Sequence, residues 1–262
     1  MTDPVPVWGK VRVGSLAIVT PGVFELWLEA PAIARQASPG QFVMVDCGDD
    51  TLLRRPISIH RVNAERTAIA LLFAIAGKGT RSLADVKTGT NVDVLGPLGN
   101  GFIVKPKSKK LLLIAGGLGL APLYFLADAA RISGKQVTLL VGAATAKALY
   151  PVPRLPDNAS CVVTTDDGSF GRRGFVTEHL SICDDTIDQV FACGPLPMLS
   201  ALASQSALTT KGLQVSLETR MACGLGVCYG CSIETLQGLK QVCKHGPVFN
   251  ASDIIWNKLR PV

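Results

Sequence analysis

Four cysteines near the C-terminus constrain this chain more than any other feature of its sequence. Cys223, Cys228 and Cys231 follow the spacing C-x4-C-x2-C, and Cys243 lies a short distance downstream. That spacing is typical of plant-type [2Fe–2S] loops, where a tight turn gathers three thiolates and a later cysteine supplies the fourth. We therefore interpret these four cysteines as the ligands of a [2Fe–2S] cluster.

The glycines between these cysteines support the same interpretation. Gly224, Gly226 and Gly230 allow the backbone to turn closely and to aim N–H groups at the sulfurs, which stabilises the negative charge of a cluster. The alternative is a zinc site, but four-cysteine zinc sites usually contain two C-x2-C pairs, and this chain has one. The spacing therefore favours iron–sulfur over zinc.

Composition limits the class of protein. Of the 262 residues, 48% are hydrophobic and 18% charged, which predicts a globular chain of two domains with a small appendage. No secretion signal accompanies the eight cysteines, and no stretch offers the roughly 20 apolar residues of a membrane span. We expect a cytoplasmic protein with no membrane association. The net charge of +6 is scattered apart from Lys105–Lys110, so we expect no nucleic-acid partner.

The N-terminal part of the chain has the pattern of antiparallel strands. Short alternating runs such as Phe24–Glu29 and Gln41–Asp46 are separated by Pro and Gly, which predicts an antiparallel barrel or sandwich. Ile57–Val62 and Thr67–Ala76 are predicted to form one hairpin within it. Lysines and a proline interrupt the pattern over Val104–Lys110, and we place a domain boundary there.

Beyond that boundary, apolar runs alternate with helical stretches, which predicts a parallel sheet covered on both faces. The predicted strands are Leu111–Ala115, Val137–Val141, Cys161–Thr165, Val190–Ala192 and Val215–Leu217. Helices are predicted to begin at Leu120, Gly174 and Pro195. From Glu218 onward the sequence specifies little regular structure.

Three segments of this part are candidates for nucleotide binding. Gly116–Pro122, which includes Gly117 and Gly119, follows a predicted strand and opens a helix, so its amides can approach a pyrophosphate. Pro122 replaces the third glycine of G-x-G-x-x-G, and an ordinary strand–helix turn is the alternative. The other two segments, each at the end of a predicted strand, are Thr165–Ser169, with Asp166, and Ala192–Met198, with Cys193 and Gly194. We interpret Cys193 as a small buried residue beside a nicotinamide site rather than a nucleophile.

A fourth candidate lies in the N-terminal part. The segment Arg54–Ser58 offers arginines that can pair with a phosphate, and Gly77–Thr80 offers unhindered amides and a hydroxyl for the same anion. The alternative to a phosphate site is that these segments are a solvent-exposed turn and a charged part of a hairpin, with no ligand.

Taken together, these motifs resemble the ferredoxin–NAD(P) reductase superfamily, and most closely the electron-transfer subunits of class 1B dihydroorotate dehydrogenases. The resemblance spans essentially the whole chain and implies an FAD-binding β-barrel (1–104), an NAD-binding α/β domain (105–217) and a small [2Fe–2S] domain (218–262). It implies that FAD contacts the residues Arg55, Pro56, Ile57, Ser58, Leu72, Phe73, Ala74, Gly79 and Thr80. It also matches the four late cysteines to the cluster ligands.

The resemblance further implies an FMN-containing catalytic subunit that oxidises dihydroorotate, in a heterotetramer with two copies of each subunit. Electrons would pass through the cluster and FAD to NAD, a diffusible substrate. We expect no general acid or base in this chain, and structural roles for His60, His179 and His245. NAD is preferred to NADP because Gly142–Ala146 offers no arginine, although Lys147 follows it.

Two other interpretations remain open from the sequence. The chain could be a reductase subunit that serves another partner, such as a hydrogenase or a ferredoxin. It could also be a non-catalytic binding module stabilised by zinc.

Overall fold

The structure is a computed structural model that describes residues 5–48, 51–157, 159–182 and 185–260. Cys183 lies outside the described residues. In these ranges, none of the helices combines the length and the apolar character that crossing a membrane requires.

Six antiparallel strands form the N-terminal part of the chain. They are β1 (Val7–Thr20), β2 (Val23–Glu29), β3 (Phe42–Val45), β4 (Arg55–Val62), β5 (Ala68–Ala74) and β6 (Asn91–Leu98). The strands close into a barrel in the order β1-β2-β5-β4-β3-β6, with the helices α1 (Pro31–Gln36) and α2 (Lys78–Ala84) between strands. β4 and β5 form the predicted hairpin. The barrel prediction is confirmed, and the sandwich alternative is not.

A parallel sheet follows. Its strands are β7 (Lys110–Gly116), β8 (Gln136–Ala143), β9 (Ser160–Thr165), β10 (Arg172–Arg173), β11 (Gln189–Cys193) and β12 (Gln214–Ser216). The helices are α3 (Leu120–Ile132), α4 (Leu196–Ala203) and α5 (Ser206–Thr209). The predicted strands and the helices predicted at Leu120 and Pro195 are therefore confirmed.

The helix predicted to begin at Gly174 is wrong. The chain instead makes two 3₁₀ turns, Val176–Glu178 and Leu180–Ile182. Gly174 has φ +110°, and Phe175 is extended, so the backbone enters this segment in a non-helical conformation. The Glu178 carboxylate accepts the Phe175 N–H at 3.2 Å, which favours a local turn over a continuing helix.

Alternate residues of β7 divide the core between the two faces of the sheet. Leu111 and Leu113 pack with α3 on one face. Leu112 and Ile114 pack on the other face with α4 and with the C-terminal segment that carries Cys231 and Cys243. Because both faces are covered there, β7 is apolar and buried from Leu111 to Ala115, as a central strand of a parallel sheet requires.

The C-terminal segment is more regular than its sequence predicts. It forms a hairpin of β13 (Ser232–Thr235) and β14 (Gly238–Gln241), the short helix α6 (Val242–His245), and β15 (Val248–Asn250). β15 pairs antiparallel with β12 and so becomes the seventh strand of the sheet. The segment that carries the fourth cysteine is therefore anchored to the sheet by backbone hydrogen bonds. The boundaries 1–104, 105–217 and 218–262 stay a prediction.

Buried polar contacts join the barrel to the sheet. The Glu25 carboxylate on β2 pairs with Arg154 at 2.5 Å, and the His60 Nδ1–H on β4 donates to the Ala121 carbonyl at 3.1 Å. Burial lowers the pKa of His60 to about 3, so its imidazole is neutral at neutral pH. His60 therefore acts as a neutral hydrogen-bonding link between the barrel and α3.

Candidate functional site

The four predicted cluster ligands lie in two pairs. The Cys223 and Cys228 thiols interact with each other, and the Cys231 and Cys243 thiols do the same. Among the described residues, no three His, Cys, Asp or Glu side chains gather as a single metal ion such as zinc requires. A [2Fe–2S] cluster places two thiolates on each iron, and two pairs of thiols fit that demand.

Cys223 and Cys243, one from each pair, differ in electrostatic environment. Burial opposes ionisation of Cys223, but hydrogen bonds from the N–H groups of Cys228, Leu225 and Val227 lower its pKa to about 6. Burial and then the adjacent Cys231 thiol raise the pKa of Cys243 to about 12. The Cys223 thiol is therefore ready to ionise, whereas the Cys243 thiol needs a bound cation to become thiolate.

The cysteine loop packs directly against the barrel. Gly224 has φ +71°, and a Cβ added to it would lie 2.6 Å from Met44 Cγ on β3. Gly226 has φ +76°, and its N–H donates to Cys243 Sγ at 3.1 Å. The predicted roles of these two glycines, a close backbone turn at Gly224 and a donor to sulfur at Gly226, match this geometry.

The predicted FAD phosphate elements meet on the barrel. A Cβ added to Gly79 would lie 3.0 Å from Arg55 Nε, so the missing side chain lets the guanidinium lie over the start of α2. The Thr80 hydroxyl accepts the N–H groups of Ala76 at 2.8 Å and Gly77 at 3.2 Å, which fixes the turn before the helix. A fixed cation beside an unhindered backbone suits a phosphate group.

The other predicted FAD residues divide between the surface and the core. Pro56 and Ser58 are partly exposed on β4, and Ala74 is partly exposed at the end of β5. Ile57 and Phe73 lie in the barrel core, and Leu72 packs in the core between β5 and α3. These last three side chains are buried, so Pro56, Ser58 and Ala74 are the better candidates for side-chain contact.

Two of the predicted nicotinamide segments meet at the carboxyl edge of the sheet. Gly117–Gly119 forms a 3₁₀ turn after β7, and a Cβ on Gly119 would lie 2.0 Å from the Cys193 carbonyl oxygen. A Cβ on Gly194 would lie 3.0 Å from the Gly116 nitrogen. The glycines are therefore needed for this close approach, and their backbone lines the pocket beside them.

Cys193 and Asp166 have different positions at this edge. Cys193 is buried, and burial raises the pKa of its thiol, which is unsuited to a nucleophile at neutral pH. Asp166 is exposed at the end of β9, where its N–H donates to the Ala143 carbonyl at 3.1 Å, and it does not line the pocket beside the glycines.

That pocket has a volume of about 900 Å³ and lies between the glycine turn and the cysteine loop. Its lining includes Gly117, Gly194 and Cys231, together with Glu218 and Arg220, which the sequence interpretation missed. The pKa of Glu218 is raised because protein atoms surround it, although its side chain stays accessible within the open pocket. The signal was available, because Glu218 directly follows a predicted strand at the ligand-binding edge of the sheet.

Solved structures share this architecture. A chain from the structure titled "Insights into flavin-based electron bifurcation via the NADH-dependent reduced ferredoxin-NADP oxidoreductase structure" is 28% identical, with a TM-score of 0.86 over 95% of this chain and 91% of that one. A ferredoxin NADP+ reductase from Neisseria gonorrhoeae, solved with FAD and NADP, shares the fold at 17% identity and a TM-score of 0.63 over 74% of this chain and 88% of that one. The barrel, the parallel sheet and the cysteine loop define an oxidoreductase of the ferredoxin reductase fold with an added iron–sulfur domain.

Sequence comparison gives the family. Residues 218–255 match the family described as the iron–sulfur cluster binding domain of dihydroorotate dehydrogenase B. Proteins named "Dihydroorotate dehydrogenase B (NAD(+)), electron transfer subunit" from Desulforamulus reducens and Shouchella clausii are 38% and 35% identical, each covering 94% of this chain and 97% and 98% of their own length. The chain belongs to the family of dihydroorotate dehydrogenase B electron transfer subunits.

Proposed function

We propose that this chain is the electron-transfer subunit of an NAD-dependent dihydroorotate dehydrogenase in pyrimidine biosynthesis. Its barrel holds FAD, its four C-terminal cysteines hold a [2Fe–2S] cluster, and NAD binds as a diffusible substrate at the edge of the sheet. The family membership and the paired thiols support this proposal over a zinc-stabilised module. The same relatives disfavour a reductase subunit that serves a hydrogenase or a ferredoxin.

One observation carries the proposal. Gly224 of the cysteine loop contacts Met44 on β3, and Met44 is the strand partner of Pro56 in the predicted FAD motif. The cysteine loop and the flavin motif are therefore separated by one buried side chain on one pair of strands. Such proximity is what electron exchange between the two cofactors needs.

The residues of this chain bind and place the cofactors. When bound, the cluster carries single electrons and FAD collects two for exchange with NAD as hydride. Arg55 and Gly79–Thr80 hold the FAD phosphates, the cysteines hold the irons, and Gly117, Gly119, Cys193 and Gly194 shape the nicotinamide pocket. No side chain of this chain is assigned as a catalytic acid or base.

NAD is preferred to NADP on electrostatic grounds. The loop after β8 is joined to the end of β9, because the Ala146 N–H donates to Ser169 Oγ at 2.8 Å. Asp166 and Asp167 lie at that end of β9 and disfavour a 2′-phosphate, although Arg173 packs against Gly168 nearby. Asp166 is therefore assigned to the adenosine end of NAD, away from the nicotinamide pocket.

The partner is an FMN-containing catalytic subunit that oxidises dihydroorotate, in an assembly with two copies of each subunit. The family name, which describes an electron transfer subunit, supports a catalytic partner. We place the protein in the cytoplasm, because that compartment keeps cysteine thiols reduced and available to bind a cluster.

The visible spectrum of the anaerobically purified protein tests the cofactor assignment. We expect flavin bands together with a broad iron–sulfur absorption that bleaches on reduction with NADH. Iron, sulfide and flavin would be measured on the same sample. A colourless protein that contains zinc would support the binding-module alternative instead.

Replacing Arg55 with alanine is expected to weaken FAD binding about ten- to a hundredfold, because a charge-assisted hydrogen bond contributes roughly 1.5–3 kcal/mol. Flavin content would be measured after dialysis against flavin-free buffer. Arg12→Ala is the matched control, because Arg12 is exposed on β1 and pairs with Glu29 at 3.8 Å. Equal flavin retention in the Arg55 and Arg12 variants would contradict the assignment.

A further inference from the structure

The two halves of the cysteine site are joined through Gly226. Three ligands lie on the loop 223–231, and the fourth, Cys243, lies on α6. The Gly226 N–H crosses between these halves and donates to Cys243 Sγ at 3.1 Å. Its direction depends on the left-handed backbone conformation of Gly226, with φ +76°.

Gln241 holds Gly226 from the other half. Its side chain is only 5% exposed, and its Nε2 donates to the Gly226 carbonyl at 2.9 Å. The Gln241 N–H in turn donates to Nδ1 of His245 at 3.1 Å, which closes the turn around α6. Gln241 therefore ties the cysteine loop to the helix that carries Cys243, two residues before that ligand.

The side chain of Lys244 completes the contact. A Cβ added to Gly226 would lie 2.7 Å from Lys244 Cδ, so the aliphatic part of the lysine packs directly on the glycine. Gly226 is thus enclosed by Lys244 and by the Gln241 amide. Because Gly226 is fixed in this way, its N–H already points at the sulfur, and the backbone does not have to reorganise when an electron is transferred.

We infer that Gln241 is a positioning residue that sets the reduction potential and the retention of the [2Fe–2S] cluster, by holding the Gly226 N–H on Cys243. The inference rests on the proposed function, since it concerns the cluster assigned to these cysteines. The side chain of Gln241 donates its hydrogen bond to the Gly226 carbonyl rather than to a cysteine sulfur, so its effect passes through Gly226.

The sign of the effect follows from charge. Reduction adds a negative charge to the cluster, so an N–H donor to a ligand sulfur stabilises the reduced form more than the oxidised form. Loosening that donor therefore lowers the reduction potential. It also weakens the link between the two halves of the site, so the cluster is lost faster.

Gln241→Met tests this, because methionine has a similar length, is neutral and cannot donate a hydrogen bond to Gly226. We expect a more negative midpoint potential in an EPR-monitored redox titration of the holoprotein. We also expect cluster loss in the presence of a chelator to be about tenfold faster, the lower end of the effect expected for a residue outside the ligand set. FAD content should equal that of wild type.

Gln237→Met is the matched control, because Gln237 is exposed in the turn of the neighbouring hairpin. It should keep the wild-type potential and rate of cluster loss. If wild type contains iron and sulfide but Gln241→Met titrates and bleaches like wild type, the role of Gln241 is overturned while the proposed function stands. If wild type itself contains no iron–sulfur cluster, the proposed function fails first. Should Gln241→Met fold poorly, Gly226→Ala, which would displace the same donor, is expected to lower the potential in the same direction.

Discussion

Replacing Cys231 with serine should remove most of the iron and acid-labile sulfide from the purified protein. Cys231 is 3% exposed and pairs with the buried Cys243, so a serine hydroxyl there would leave one iron with a single thiolate in an apolar setting. The loss of one ligand from a four-thiolate set should cost far more than an outer hydrogen bond, which alone changes metal affinity about 10- to 100-fold. Iron, sulfide and the EPR signal of the reduced protein measure the outcome.

The same loss is expected for serine at Cys223, Cys228 and Cys243, because in the proposed cluster each pair of thiolates would bind one iron. Two other cysteines serve as controls: Cys47 is buried in the barrel core, and Cys161 is exposed on β9. Serine at either position should leave the iron content unchanged. A Cys231→Ser protein with full iron content would contradict the ligand assignment.

The sequence predicted those parts of the molecule that have a short-range signal. Alternation predicted the barrel strands, apolar runs predicted β7, β8, β9 and β11, and cysteine spacing predicted an iron–sulfur domain at the C-terminal end. Glycine positions predicted the turn at Gly117–Gly119, where a side chain would strike the Cys193 carbonyl. Each of these features is determined by residues that are close together in the chain or on one strand. It therefore leaves a pattern that can be found in the sequence.

The contacts that place the cysteine site had no such pattern. The Asn100 N–H donates to the Gly246 carbonyl at 2.6 Å, and Gly224 packs on Met44, so the site rests on barrel residues far away in sequence. The burial of Ile57 and Phe73 depends on how the barrel closes, which motif matching does not include. The helix predicted to begin at Gly174 does not form, although apolar residues follow this glycine. The positive φ of Gly174 directs the chain into turns instead.

The largest functional effect is expected when the partner is added. Alone, the chain should reduce artificial dyes with NADH but should not convert dihydroorotate to orotate, because it offers cofactor sites without an assigned base for that substrate. Mixed with an FMN-bearing catalytic subunit, it should support reduction of NAD by dihydroorotate. Dye reduction, orotate formation and NADH formation would each be followed by absorbance.

The Cys231→Ser protein should separate these activities. Cys231 also lines the nicotinamide pocket, but serine has nearly the same size, and the glycine turn and Arg55 lie on other elements. NADH–dye activity should therefore remain, whereas NADH formation from dihydroorotate with the partner should fall to background. Cys161→Ser should keep both activities, because that thiol lies on β9 and belongs to neither cysteine pair. This order of effects agrees with the geometry. The cysteine loop packs against the flavin-motif side of the barrel at Met44, and its residues Leu225, Val227 and Tyr229 stay exposed to solvent. Conversion of dihydroorotate by the isolated chain, or full coupled turnover by the cluster-deficient variant, would show that electrons take another path.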